Sequence, residues 1–423
     1  MGTREILRFG RWVAQWAARL VMPALLVACP SGDGNIGSFW VETGIAAADL
    51  DGDGSQDVVT VAMYQPESAD ARQGVLKVYL QTAPGVFAAP VEMVVGRYPW
   101  QVKIRDVDGD GAPDVAVLDV EGGAGQSGVI YLVLQDRNNR GRFLAPQVIA
   151  TTSRAFYDFE LADLNDDGAP DLVLADGIGG GDGAQVLYQS LTQRGSFDAP
   201  VAIALPGRAA HVAAGDLNGD GLVDLAFYAT TGFNVYTGST GNAMLVYGQP
   251  GGGFSSATVL APQVGLNAQL VEIADTDGNG LNDVVIAFTP FSVAYQAKLS
   301  VLLQTAASFT TVDSSLAGVR GIDGFVVADL NVDGRPDVAT AGFFPTGSPT
   351  TVRSRVNVLV PIGPGTYGLA AVYELGVTTS SITAADLDGD GRNDLVLLGG
   401  DNLAFVMLQS VSTPGAFLPM RQL

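Results

Sequence analysis

One nonapeptide recurs seven times along the chain, and that repetition limits the possible folds more than any other feature of the sequence. The copies are DLDGDGSQD at 49, DVDGDGAPD at 106, DLNDDGAPD at 163, DLNGDGLVD at 216, DTDGNGLND at 275, DLNVDGRPD at 329 and DLDGDGRND at 386. Successive copies start 57, 57, 53, 59, 54 and 57 residues apart. Positions 1 and 9 are always Asp, position 6 is always Gly, and positions 3 and 5 are always Asp or Asn. A module of this length cannot bury an apolar face alone, so neighbouring copies must stack on one another.

The spacing of the oxygen-bearing residues points to a calcium loop. Calcium takes six to eight hard oxygen ligands, and side chains at 1, 3, 5 and 9 with a backbone carbonyl at 7 wrap one ion in a tight turn. Glycine at 6 supplies the positive φ that the turn demands. The ligand sets are Asp49, Asp51, Asp53, Ser55 and Asp57; Asp106, Asp108, Asp110, Ala112 and Asp114; Asp163, Asn165, Asp167, Ala169 and Asp171; and Asp216, Asn218, Asp220, Leu222 and Asp224. The last three are Asp275, Asp277, Asn279, Leu281 and Asp283; Asp329, Asn331, Asp333, Arg335 and Asp337; and Asp386, Asp388, Asp390, Arg392 and Asp394. An EF-hand begins the same way but closes on Glu at position 12. Position 12 here is Thr60, Val117, Leu174, Phe227, Ile286, Thr340 and Leu397, so each loop closes at position 9. Of the 44 acidic residues, 24 occupy the side-chain ligand positions, and their mutual repulsion without metal would oppose folding. The expected cofactor is up to seven structural Ca²⁺.

Each loop is flanked by apolar stretches with strand character, such as GIAAADL before and VVTVA after the first. A third strand follows, as in GVLKVYLQ, GVIYLVLQ, AKLSVLLQ and NLAFVMLQ, and a fourth is expected from a Gly-x-aromatic step such as Gly85-Val86-Phe87. Only the fifth copy, at Phe309, lacks that glycine. Four strands per unit in seven units predict an all-β fold, a seven-bladed β-propeller of four-stranded blades with a calcium loop in each blade.

These units resemble FG-GAP/VCBS repeats, the blades of the integrin α-subunit head and of many bacterial surface proteins, over residues 39–423. The resemblance implies that each calcium loop joins the first two strands of a blade on one rim. It also implies that ligands bind the opposite face.

The first residues resemble a bacterial lipoprotein signal. Arg4, Arg8, Arg11 and Arg19 precede an apolar run from Leu20 to Ala28, too short to span a bilayer, and Leu26-Val27-Ala28-Cys29 resembles a lipobox. The expected organisation is a signal peptide at 1–28, a flexible tether at 29–38 and the propeller at 39–423. Lipidated Cys29 would then hold the exported protein on a bacterial membrane, at the outer membrane or cell surface.

Composition narrows the activity. A net charge of −22 argues against nucleic acid as a partner. One His and one Cys leave almost no material for a Ser/His/Asp triad, a Cys/His pair or a histidine-ligated zinc. Basic and aromatic residues recur before the first strands: Trp40, Arg97, Trp100, Arg154, Tyr157, Arg208, His211 and Arg320. Such groups around one mouth suit an acidic glycan or protein ligand. The expected function is a lipid-anchored, non-catalytic binding module; the alternative is a carboxylate-based polysaccharide lyase or hydrolase.

Overall fold

The structure is a computed structural model. It describes residues 39–65, 72–120, 128–151, 158–175, 183–230, 241–261, 268–288, 297–305, 308–316, 322–345, 352–399 and 403–423. The signal peptide, Cys29, the tether, Arg154, Tyr157 and Arg320 lie outside these residues.

Seven four-stranded antiparallel sheets follow one another along the chain, and in blades 1 and 4 a small two-stranded sheet precedes the fourth strand. Blade 1 comprises Phe39–Ala48, Asp57–Gln65, Gln73–Tyr79 and Val91–Val94; blade 2 comprises Pro99–Arg105, Asp114–Asp119, Val129–Val133 and Gln147–Thr151. The first strands of blades 3 to 7 are Asp158–Ala162, Arg208–Gly215, Ala268–Ala274, Gly324–Ala328 and Thr379–Ala385. Each first strand touches the first strands of both neighbouring blades, so these strands line the centre of the ring. The expected seven-bladed propeller is the observed fold.

Second strands such as Asp114–Asp119 and Asp283–Phe288 are buried along their whole length. The reason is that each blade packs on both faces. Seven separate apolar cores fill the seven junctions, one per pair of blades. Each fully buried Val, Leu or Ile contributes about 1.5–3 kcal/mol, so the junctions rather than the single sheets carry the stability.

The ring closes between blades 7 and 1 without exchange of a strand. Ile45, Val58 and Tyr79 pack with Leu387, Val396, Leu398 and Val406. One backbone bond, from Gly85 N–H to the Leu387 carbonyl at 3.1 Å, crosses the same junction.

Two details differ from the sequence reading. The Gly-x-aromatic step does not start the fourth strand in most blades. It closes a short turn ahead of it: Gln135 bridges to Phe143, Gln189 to Phe197 and Gln409 to Phe417, and the fourth strand of blade 2 begins only at Gln147. Five of the seven first strands also carry a β-bulge, at one constant distance from the loop. The register shifts between Glu42 and Gly44, Pro99 and Gln101, Ala209 and His211, Ala268 and Leu270, and Thr379 and Ser381. An extra residue there turns side chains at the end of the ring opposite the acidic loops.

Candidate metal centres and the central channel

Each acidic loop folds around its own backbone. In the first, Asp49 Oδ1 accepts from Gly52 N–H at 2.7 Å and Oδ2 from Gly54 N–H at 3.0 Å. Asp51 Oδ1 accepts from Asp53 N–H at 3.2 Å, and Asp53 Oδ1 from Ser55 N–H at 2.7 Å. The turn needs positive φ at two places. Position 6 is the one expected from the sequence; position 4 is the other, and it was visible as Gly in five copies. The remaining two are Asp166 at +61° and Val332 at +64°. Position 2 is a buried plug in the blade junction, filled by Leu50, Val107, Leu164, Leu217, Thr276, Leu330 and Leu387.

The aspartate at position 9 is buried and ties the loop to the third strand. Asp114 accepts from Val107 N–H at 2.9 Å on one oxygen and from Gln135 N–H at 2.8 Å on the other. Burial pushes Asp57, Asp114, Asp171, Asp224 and Asp394 up to about 6, against these backbone bonds, which pull the other way. Asp337 is pushed further, to about 7. The residue that should supply its second N–H is Pro361, which has none. Among the described residues, Leu330 N–H, at 3.0 Å, and the Asn331 amide, at 3.5 Å, are the donors that reach it.

The donor set fits a hard cation. Carboxylate oxygens of Asp49, Asp51 and Asp53 lie within 4.8 Å of one another, as do those of Asp106, Asp108 and Asp114, of Asp275, Asp277 and Asp283, and of Asp386, Asp388 and Asp394. All are oxygen donors, the chemistry of Ca²⁺ rather than of a soft metal. Buried carboxylates whose proton affinity is raised by burial and by each other are those that gain most from a divalent ion.

A second constellation was not foreseen. Lys103, Glu160 and Glu272 stand three residues before their loops, and Asp158 and His211 five before, on the first strands of blades 2 to 5. Lys103 Nζ lies 2.6 Å from Glu160 Oε2, and His211 Nδ1 lies 3.3 Å from Asp158 Oδ2. Asp158 also accepts from Val212 N–H at 3.1 Å, bonding blade 3 to blade 4. Burial opposes its charge, but the His211 bond and the Lys103 charge win and hold the carboxyl below its usual range. Burial would lower the Lys103 ammonium, but Glu160 and Asp158 raise it. Glu272 has no hydrogen bond among the described residues; burial, with Glu160 and Asp158 beside it, pushes it up to about 7. The equal offsets from the loops were the available signal.

The residues nominated for a ligand face are only partly described. Arg97 is half-buried two residues before its strand, and its N–H and that of Tyr98 donate to Asp119 at 2.6 and 3.1 Å. Trp100 sits at the blade 2 bulge with its ring stacked on Tyr98, centroids 6.0 Å apart. Arg208 is the first residue of its strand, opposite Thr230. Trp40 pairs opposite Tyr64 at the corresponding end of blade 1. His211 is not at a rim; it is tied to Asp158 between the inner strands.

The FG-GAP-like repeat family matches residues 49–117, 106–174 and 163–227, three overlapping stretches that each run from one loop into the next blade's second strand. Residues 49–227 thus carry FG-GAP-like repeats, within a ring of seven four-stranded blades. A search of curated proteins returns no match. Among solved structures, the propeller is similar to that of Dos1, with 11% identity, TM-score 0.52, and coverage of 92% of this chain and 85% of that one. It is also similar to the exotype rhamnogalacturonan lyase YesX, with 13% identity, TM-score 0.49, and coverage of 86% and 71%. At this identity the likeness to Dos1 shows the propeller fold alone.

Proposed function

We propose that this FG-GAP-repeat propeller is a calcium-stabilised, non-catalytic binding module, held at a bacterial membrane surface by lipid on Cys29. Its ligand would be a protein or an acidic glycan. The observation that carries the reading is the division of labour between the two ends of the inner strands. Acidic loops close one end; at the other, the recurrent bulge places half-buried Trp100, stacked on buried Tyr98, beside Arg97, with Arg208 at the same end of blade 4. An aromatic platform with guanidinium groups suits a carboxylated sugar or an acidic side chain. The test is an array of acidic glycans probed with the purified protein in calcium and in EGTA. Calcium-dependent binding lost in Arg97→Ala supports the reading, and binding unaffected by that substitution argues against the face.

A second reading, a carboxylate-based lyase or hydrolase, draws support from one observation. Glu272, pushed up to about 7, stands beside Asp158, whose carboxyl is held below its usual range, and Lys103, whose ammonium is raised by its acidic neighbours. Carboxyls driven apart in proton affinity suit acid–base work. Release of oligosaccharide from pectin by wild type but not by Glu272→Gln would favour it over the binding module.

A further inference from the structure

The seven loops are not held alike. In four blades one buried glutamine clamps the loop in three ways where the third strand ends. Gln81, Gln135, Gln189 and Gln409 each donate a backbone N–H to the ninth-position aspartate, at 2.7, 2.8, 2.8 and 2.6 Å. Their side-chain amides donate to the eighth-position carbonyls of Gln56, Pro113, Pro170 and Asn393, at 2.8, 2.9, 2.7 and 2.9 Å. Their Oε1 atoms accept from the turn glycines Gly85, Gly141, Gly195 and Gly415. The eighth carbonyl adjoins the seventh, the backbone ligand, so this clamp fixes the exit of the loop before an ion arrives.

The other three blades have lost it. In blade 4 the residue is Gly248, which keeps only the backbone bond to Asp224. In blade 5 Gln304 keeps its backbone bond to Asp283, but its buried Oε1 has no partner among the described residues, and this is the blade whose turn lacks the glycine. In blade 6 Pro361 donates nothing to Asp337; the Tyr367 hydroxyl takes over the Pro336 carbonyl at 3.0 Å, and Val332 adds a positive φ that a β-branched residue tolerates poorly. The clamped blades 7, 1, 2 and 3 are contiguous around the ring, and so are 4, 5 and 6.

We propose that the loops form two classes of calcium site, a tight arc over blades 7, 1, 2 and 3 and a weak arc over blades 4, 5 and 6. This rests on the calcium reading of the loops. Partners that fix ligands from outside the coordination sphere are worth roughly 10- to 100-fold in metal affinity, which sets the expected gap. The weak arc responds to ambient calcium while the tight arc keeps the ring closed.

The test is a Ca²⁺ titration of the metal-stripped full chain, with bound ions counted by native mass spectrometry and hydrogen exchange followed by peptide. Four ions should bind first and three more at roughly 10- to 100-fold higher free calcium. Between the two steps, loops 216–224, 275–283 and 329–337 should exchange fast while 49–57, 106–114, 163–171 and 386–394 are protected. Gln135→Ala should move one ion from the first step to the second. Seven ions in a single step, or fast exchange in loops of the other arc, overturn the two classes while leaving calcium binding intact. No ion bound at millimolar calcium overturns both. The wild-type exchange pattern decides the matter even if the variant does not fold.

Discussion

Lys103 of blade 2 and Glu160 of blade 3 meet at 2.6 Å between the inner strands, with only 28% and 22% of their side chains exposed. Asp158 and Glu272 act on the same ammonium, so Lys103 offsets the charge of three neighbouring carboxyls. Removing one member of an enclosed pair costs more than removing both, because a charge is left without compensation. Lys103→Met should therefore destabilise the protein by about 2–3 kcal/mol, and Lys103→Met/Glu160→Gln by clearly less. Urea unfolding at saturating calcium measures both. Equal losses would mean that the pair is only a surface contact.

The pH dependence follows from the loop aspartates and Glu272. Their protons are held more tightly in the folded chain than in the unfolded one, up to about 6 for Asp57 and Asp114 and about 7 for Asp337 and Glu272. Without metal, their contribution is fully present below about pH 4, where both states are protonated. It is lost as pH rises through 6 to 7, where the unfolded chain ionises freely and the folded one resists. Metal-free protein in EGTA should thus melt at a lower temperature at pH 8 than at pH 5. Excess Ca²⁺ should flatten or reverse that slope, since the ion binds the ionised loops. A melting temperature in EGTA that rises from pH 5 to 8 would contradict the burial of these carboxyls.

The sixth loop offers a stabilising substitution. Val332 holds φ at +64° and is 52% exposed, so its side chain gains little from packing. The left-handed region costs an ordinary residue about 1–2 kcal/mol, part of which glycine returns as entropy of the unfolded chain. Val332→Gly should raise stability by about 1 kcal/mol, with or without calcium. Thermal melts in both conditions check it, and a lower melting temperature would show that the valine makes a contact worth more than the strain.

The loops and the blade count were legible because their determinants are local: ligand spacing, glycine and flanking apolar strands all lie within one repeat. The strand ladders followed from near-continuous apolar runs, which only a sheet buried on both faces tolerates. The channel cluster was not read, because Lys103, Glu160 and Glu272 each stand alone in a strand and meet only through the curvature of the ring. The glutamine that ends GVLKVYLQ and its equivalents was in plain view, yet its importance depends on burial, which the sequence does not display. The early placement of the fourth strand failed for a related reason. Phe143 and Phe417 look like strand starters but instead close the turn over that glutamine.

That turn also joins neighbouring loops, and two glycines separate the effect of the contact from that of the backbone. Gly141 of blade 2 has φ +79° and Gly195 of blade 3 has φ +77°, so an added methyl strains both backbones alike, by about 1–2 kcal/mol. Their surroundings differ. A Cβ at Gly141 would sit 3.1 Å from Cβ of Asp51 in the blade 1 loop and 3.0 Å from Leu80 Cδ1. A Cβ at Gly195 would meet nothing closer than Leu132 Cδ2 at 3.6 Å, an ordinary contact. Gly141→Ala should therefore destabilise more than Gly195→Ala, and the excess should appear in the blade 1 loop. Hydrogen exchange in residues 49–57 should rise in Gly141→Ala, while residues 106–114 in its own blade change less. Loss of protection confined to 106–114, or equal behaviour of the two variants, would show that each loop answers to its own blade and not to the turn of the next.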